Sequence, residues 1–311
     1  MSENKTQDLI DSIKNKGKSL EAEMSFFDHI DVLRKHLLRA LLVVVIFTGL
    51  AFWFYEFIFN TVIMGPKKPD FWTYRMMCKL AANFPSLGSD FCITKIGGKI
   101  INTEMAGQFT LQINSCVMTG IIFGIPYLLF ELWLFIKPAL HDKERKNASG
   151  FVFFASSLFI IGILFGYYII CPLSINFLTS FSVSPDIENT FTIDSYLSSV
   201  ATLTIGTGII FELPVVIYIL SKFGIMTPKF MRASRRYAAV IILIIAAVVT
   251  PTPDVITMMV VAFPLFILYE LSIFISANIE RKKNKELYGT STPNIYRQLY
   301  GAYPVFFIDL V

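Results

Sequence analysis

From Leu37 onward the chain alternates long apolar stretches with short polar connections, and the length of those stretches is the first clue to its architecture. A helix rises about 1.5 Å per residue, so crossing a hydrocarbon core takes roughly 20 apolar residues. Six stretches qualify as candidates: 37–59, 109–136, 150–172, 196–221, 237–249 and 255–276. The first carries Trp53, Phe54 and Tyr55 where an interfacial aromatic belt would anchor its far end, and the second contains Pro126. Asp194 is placed to cap the start of the fourth. The fifth stops at Thr250-Pro251-Thr252-Pro253-Asp254, because a residue before proline is pushed out of the helical region. The pattern predicts an all-α polytopic membrane protein with six transmembrane helices, the last two short.

Ahead of the first span, apolar positions at Phe27, Ile30, Leu33 and Leu37 recur three or four apart, with Asp28, Asp31, Arg34 and Lys35 between them. That spacing predicts an amphipathic helix lying along the membrane surface and leading into the first span. The expected organisation is a cytoplasmic segment over 1–36, a membrane domain over 37–276 with a long outer loop at 60–108, and a cytoplasmic tail over 277–311. No fixed internal period relates the spans to one another, unlike the paired repeats of many carriers.

Charge orients this plan. Basic residues gather before the first span (Arg34, Lys35, Arg39), between the second and third (Lys137, Lys143, Arg145, Lys146), between the fourth and fifth (Lys222, Lys229, Arg232, Arg235, Arg236) and after the sixth (Arg281, Lys282, Lys283, Lys285). With six crossings all four regions fall on one side, so both termini are expected in the cytoplasm. Loop 60–108 dissents with Lys67, Lys68, Arg75, Lys79, Lys95 and Lys99. It also carries Cys78 and Cys92; in an oxidising space a disulfide and two free thiols are both open readings.

Composition agrees with the membrane reading: 54% of residues are hydrophobic, only 16% are charged, and the mean hydropathy is +0.60. A net charge of +4 in short clusters suits a membrane surface rather than nucleic acid. The polar first two dozen residues do not read as a removed signal peptide, so the first span is expected to remain as an anchor. No cysteine pair has metal-site or redox spacing, the three histidines (His29, His36, His141) fall on expected surface segments, and no nucleophile-elbow, HExxH or P-loop pattern occurs. The chain is therefore expected to hold no cofactor or metal and to be no enzyme.

Glu212 is the outstanding polar residue, because it sits mid-span in Ile209-Ile210-Phe211-Glu212-Leu213-Pro214. A carboxyl there costs about 2.5–3.5 kcal/mol on insertion scales, so it is expected to face protein or water. A functional role and a packing role as a protonated, hydrogen-bonded acid both remain open. Pro214 leaves a backbone carbonyl unpaired beside it. Glu131 and Glu270 lie close enough to helix ends to reach the headgroups and are read as interfacial.

Five segments together carry a resemblance. Phe26-Phe27-Asp28-His29-Ile30-Asp31-Val32-Leu33-Arg34-Lys35, Phe135-Ile136-Lys137-Pro138-Ala139-Leu140, Lys143-Glu144-Arg145, Phe211-Glu212-Leu213-Pro214-Val215 and Thr250-Pro251-Thr252-Pro253-Asp254-Val255 resemble, in order and spacing, the TatC family of twin-arginine translocase subunits. The resemblance implies a glove-shaped, cofactor-free helical bundle in the bacterial cytoplasmic membrane. Its cytoplasmic face would bind the paired arginines of a folded substrate's signal peptide, and transport would draw on the proton-motive force. It further implies small single-span TatA- or TatB-type partners, self-association and contact with membrane lipid.

Residue by residue, the resemblance makes Glu144 the recognition glutamate of the first cytoplasmic loop, with Phe135 the aromatic position beside it. The N-terminal contact falls to Asp31 and Arg34, since Val32 stands where the family commonly has its second acid. Glu212 matches the family's intramembrane glutamate, Pro66 the proline after the first span and Asp254 the outer-turn acid; Pro138, Pro214 and Glu131 are structural or assembly positions. Guanidinium suits such carboxylates because its planar fork pairs bidentately, which an ammonium cannot do. The rival reading is an ion-coupled secondary carrier using Glu212; a scaffold for other membrane subunits is a third.

Overall fold

The computed structural model describes residues 26–83, 92–137, 148–184, 186–250 and 255–288. Among the described residues, five helical segments are long and apolar enough to cross a membrane: Ile30–Trp53, Gly107–Ile136, Gly150–Ser180, Ile193–Lys222 and Thr257–Asn284. The chain forms two compact units, one within 1–63 and 104–157 and the other within 64–103 and 158–311.

The first unit is built on α1 (Phe26–Trp53) and α4 (Gly107–Ile136), with the short α2 (Tyr55–Phe57) and a wide π-type turn (Ile58–Ile63) between them in sequence. The amphipathic stretch leads into the first apolar stretch as one uninterrupted helix. No proline and no glycine before Gly49 interrupts the hydrogen-bond ladder. Gly120 and Gly124, four residues apart on one face of α4, meet Thr48 and Val44, four apart on α1. A Cβ on Gly120 would fall 2.8 Å from the Thr48 amide nitrogen, so the absence of a side chain is what lets the two backbones approach. The helices are antiparallel: each step back along α1 is matched by a step forward along α4.

The second unit starts with a one-turn 3-10 helix (Gly65–Lys67), α3 (Trp72–Asn83) and β1 (Lys99–Ile101). The third span, α5 (Ala148–Phe165), runs into it through a wide turn (Gly166–Ile170) and continues as α6 (Cys171–Ser180). Pro172 was expected to end this span. It sits instead in the first turn of α6, where its missing N–H costs nothing, and the wide turn before it absorbs the mismatch. Gly162 and Gly166 repeat the close-approach device, meeting Gly208 and Phe211, and Leu203, Thr204 and Thr207, on α7 (Ile193–Phe211). Phe159, Ile170, Leu203, Thr204 and Thr207 are fully buried around that contact.

After Glu212 the fourth span resumes as α8 (Leu213–Lys222) and ends at Gly224, whose φ of +75° is the left-handed region that favours glycine. The cap of α7 is Thr192, whose hydroxyl accepts from the Ser195 amide, and not Asp194; the acid occupies the first turn. The short α9 (Pro228–Ala233) and α10 (Arg235–Val249) follow. At 15 residues α10 is about 22 Å long, short of a hydrocarbon core of roughly 30 Å.

The last helix, α11 (Val255–Tyr288), runs for 34 residues, so the expectation of a short sixth helix is corrected. Lys, Arg and Glu are good helix formers and neither proline nor glycine occurs between Ala277 and Tyr288, so the helix outlasts its apolar part. The chain is also not purely helical: β1 pairs in parallel with β2 (Thr190–Thr192), Lys99 opposite Thr190.

Candidate functional site

In the first unit the polar residues collect at the end of the α1–α4 pair that carries the N-terminal segment. Glu131, read from the sequence as near the headgroups, is 2% exposed and so buried within the protein. Its carboxylate accepts from two directions: the Tyr127 hydroxyl at 2.6 Å to Oε1, and His36 Nδ1 at 2.5 Å to Oε2. Tyr127 precedes Glu131 by four residues and so stands beside it on α4, while His36 reaches across from α1. The partner that the sequence alone did not supply was 95 positions away.

That bond also sets the level of the neighbouring residues. Thr48 against Gly120, Val44 against Gly124 and His36 against Glu131 define one antiparallel register. Continuing it places Asp31 level with Ile136 and Lys137, just past Phe135. Asp31 and Arg34 are exposed and Phe135 is half-buried one turn beyond Glu131. The structure thus brings Asp31, Arg34 and Phe135 to one end of one helix pair. Trp133 stacks on Phe151 at 4.1 Å between ring centres and fixes where α5 leaves this end. Glu144 and Pro138 lie outside the described residues, as does Asp254.

In the second unit Glu212 occupies the junction of α7 and α8. Its amide closes the last turn of α7 on Ile209 O, while its own carbonyl accepts from Val215 and Val216, so the acid stands where one ladder ends and the next begins. Pro214, fully buried, sits in the first turn of α8. The side chain is buried, faces the backbone of Phe159, and neither carboxyl oxygen has a hydrogen-bond partner among the described residues. Glu270 is exposed and paired with Arg235 at 2.8 Å.

Pro66 belongs to a third group. The Tyr74 hydroxyl is shared between the carbonyls of Pro66 and Pro172, 2.9 Å from each, and Thr73 donates to the carbonyl of Tyr168. Burial pushes the Tyr74 phenol well above its ordinary range. Lys67 donates to Gly98 O at 2.8 Å, and burial holds its ammonium below the usual lysine value. Cys78, on α3, is joined to Cys92 by a disulfide. Lys99 and Glu188 pair on the surface at 2.8 Å, the contact raising the lysine and lowering the glutamate.

Among the described residues no cluster of three or more His, Cys, Asp or Glu could hold a metal. The sequence reading missed His36, Tyr127 and Tyr74. A visible signal existed for two features: Tyr127 and Glu131 stand four apart, and the small-residue pairs Gly120/Gly124 and Gly162/Gly166 repeat the spacing of close helix packing.

Residues 28–264 match the family described as Sec-independent protein translocase protein (TatC). A relative of that name from Blattabacterium sp. subsp. Periplaneta americana (strain BPLAN) is 38% identical over 266 residues, covering 86% of this chain and 100% of the relative. Two crystal structures described as twin arginine translocase receptor TatC, one of them in DDM, are also similar. They are 28% and 29% identical, cover 81% and 80% of this chain and 99% of their own, and give TM-scores of 0.58 and 0.61.

Proposed function

The chain belongs to the TatC family of Sec-independent protein translocase proteins, and from that membership we propose that it is the subunit that binds twin-arginine signal peptides for export of folded proteins. It is a membrane component of a protein translocase and not an enzyme. The observation that carries the finer reading is the match over 28–264, which takes in the N-terminal helix, the loop holding Glu144 and the junction at Glu212.

In the proposed mechanism Glu144 and Asp31 receive the two guanidinium groups through charge-assisted, planar hydrogen bonds, beside Phe135 and Arg34. Supporting this, Asp31, Arg34 and Phe135 share one end of the α1–α4 pair, and Asp31 is exposed. The signal's apolar stretch then enters the membrane domain, and Glu212 offers its unsatisfied carboxyl to a polar group of a neighbouring subunit. Small single-span TatA- or TatB-type subunits and further copies of this chain are the proposed partners, with the proton-motive force as the energy source.

The proposed topology has six crossings, α10 being the fifth, with both termini in the cytoplasm of a bacterial cytoplasmic membrane. Its support is the basic character of the connections on that side and the presence of the Cys78–Cys92 disulfide in the opposite loop.

The test is binding of the detergent-solubilised protein to a twin-arginine peptide, with a twin-lysine peptide and Glu144→Ala alongside. Binding that is lost in both controls is the expected result. Equal binding in all three arms would overturn the receptor assignment.

A further inference from the structure

We propose that His36, Glu131 and Tyr127 form a positioning clamp for the signal-binding surface. The inference rests on the signal-binding role proposed above.

A carboxylate this deeply buried is costly unless its charge is matched. Here two donors from two directions satisfy it, and the one from α1 is an imidazole nitrogen at 2.5 Å. A Glu131 carboxylate accepting at Oε2 requires a proton on His36 Nδ1. The bond gains full charge assistance only when the second ring nitrogen is protonated as well.

From α4 the titratable groups facing His36 are Glu131 itself and Tyr127; from its own helix Arg39 lies close enough to act on both of these. Over 150–157, the part of α5 in this unit, there is no ionisable side chain.

The location gives the clamp its consequence. His36 is five residues from Asp31 and two from Arg34 on a continuous helix, and Glu131 is one turn from Phe135 on the other. Below this point the helices are locked by Gly120 and Gly124. Above it the His36–Glu131 hydrogen bond joins the helix that carries Asp31 to the helix that carries Phe135. Weakening that bond lets the two recognition elements drift apart while the rest of the pair stays closed.

The experiment uses the full-length protein in detergent and a twin-arginine peptide blocked at both ends, whose affinity is read for the wild type, His36→Arg and His36→Gln. His36→Arg keeps a cationic donor for Glu131 and should bind within about threefold of the wild type. His36→Gln lacks that charge and should bind about threefold to tenfold more weakly. His36→Gln binding as well as the wild type, or His36→Arg binding no better than His36→Gln, would overturn the clamp. Absence of wild-type binding would instead reject the receptor reading on which it rests.

Discussion

Gly120 on the second span lies so close to Thr48 on the first that a Cβ would fall 2.1 Å from the threonine hydroxyl and 2.8 Å from its amide nitrogen. The second distance is to backbone, which cannot rotate away. Gly120→Ala should therefore lower the thermal midpoint of the solubilised protein, by about 1–3 kcal/mol of overpacking. Removing the hydroxyl with Thr48→Ala should not rescue it. Full rescue would mean that the side chain alone sets the spacing.

Tyr74→Phe should cost about 1–2 kcal/mol, because the buried carbonyls of Pro66 and Pro172 lose the hydroxyl they share. The phenol's native pKa is raised, so its contribution is complete below the unfolded value of about 10 and declines as pH rises from there toward the native value. Stability measured from pH 8 to 11 should fall more steeply in the wild type than in Tyr74→Phe. Parallel curves would refute the assignment.

Glu212→Leu separates stability from function. An unpaired buried carboxyl is destabilising, so the isolated variant should gain about 1–3 kcal/mol in unfolding experiments. Export of a folded twin-arginine substrate in cells should nevertheless collapse, because the polar contact to a neighbouring subunit is gone. Normal export by this variant would remove Glu212 from the mechanism.

Reducing the Cys78–Cys92 bond should loosen the loop it closes. A crosslink spanning 14 positions contributes about 3 kcal/mol in the chain-entropy account. Reductant, or Cys78→Ser, should expose the end of α3 at 79–83 to protease while Cys116 and Cys171, both buried, stay unreactive to maleimide. Unchanged cleavage would show that other contacts hold the loop.

Glu188→Gln should leave stability unchanged within error. The Glu188–Lys99 pair is fully exposed, and solvent and salt screen it. A measurable loss would mean that β1 and β2 depend on this pair for their register.

Much of the fold was legible because long apolar runs have few alternatives: every helix long enough to cross the bilayer overlaps an expected span. The ends were less so. Pro172 reads locally as a stop, yet a wide turn at 166–170 accommodates it, and Asp194 looks like a cap until Thr192 is seen to take the Ser195 amide. For Glu131 the difficulty was tertiary. Nearness to a helix end suggested headgroups, and only the register between α1 and α4 shows that His36 arrives at the same height. Glu212 stood out from the start because a carboxyl amid Ile, Phe and Leu has no bland local explanation; its lack of a partner was beyond any pattern of residues.

The final helix works as a mast. Its 34 residues are about 51 Å long, more than one straight crossing of a hydrocarbon core of roughly 30 Å requires. Glu280, Arg281, Lys282 and Lys283 stand on the same unbroken ladder as the apolar part. A fluorophore placed near Tyr288 is therefore tied to the apolar part by continuous helix and gives a ruler for motions of that helix.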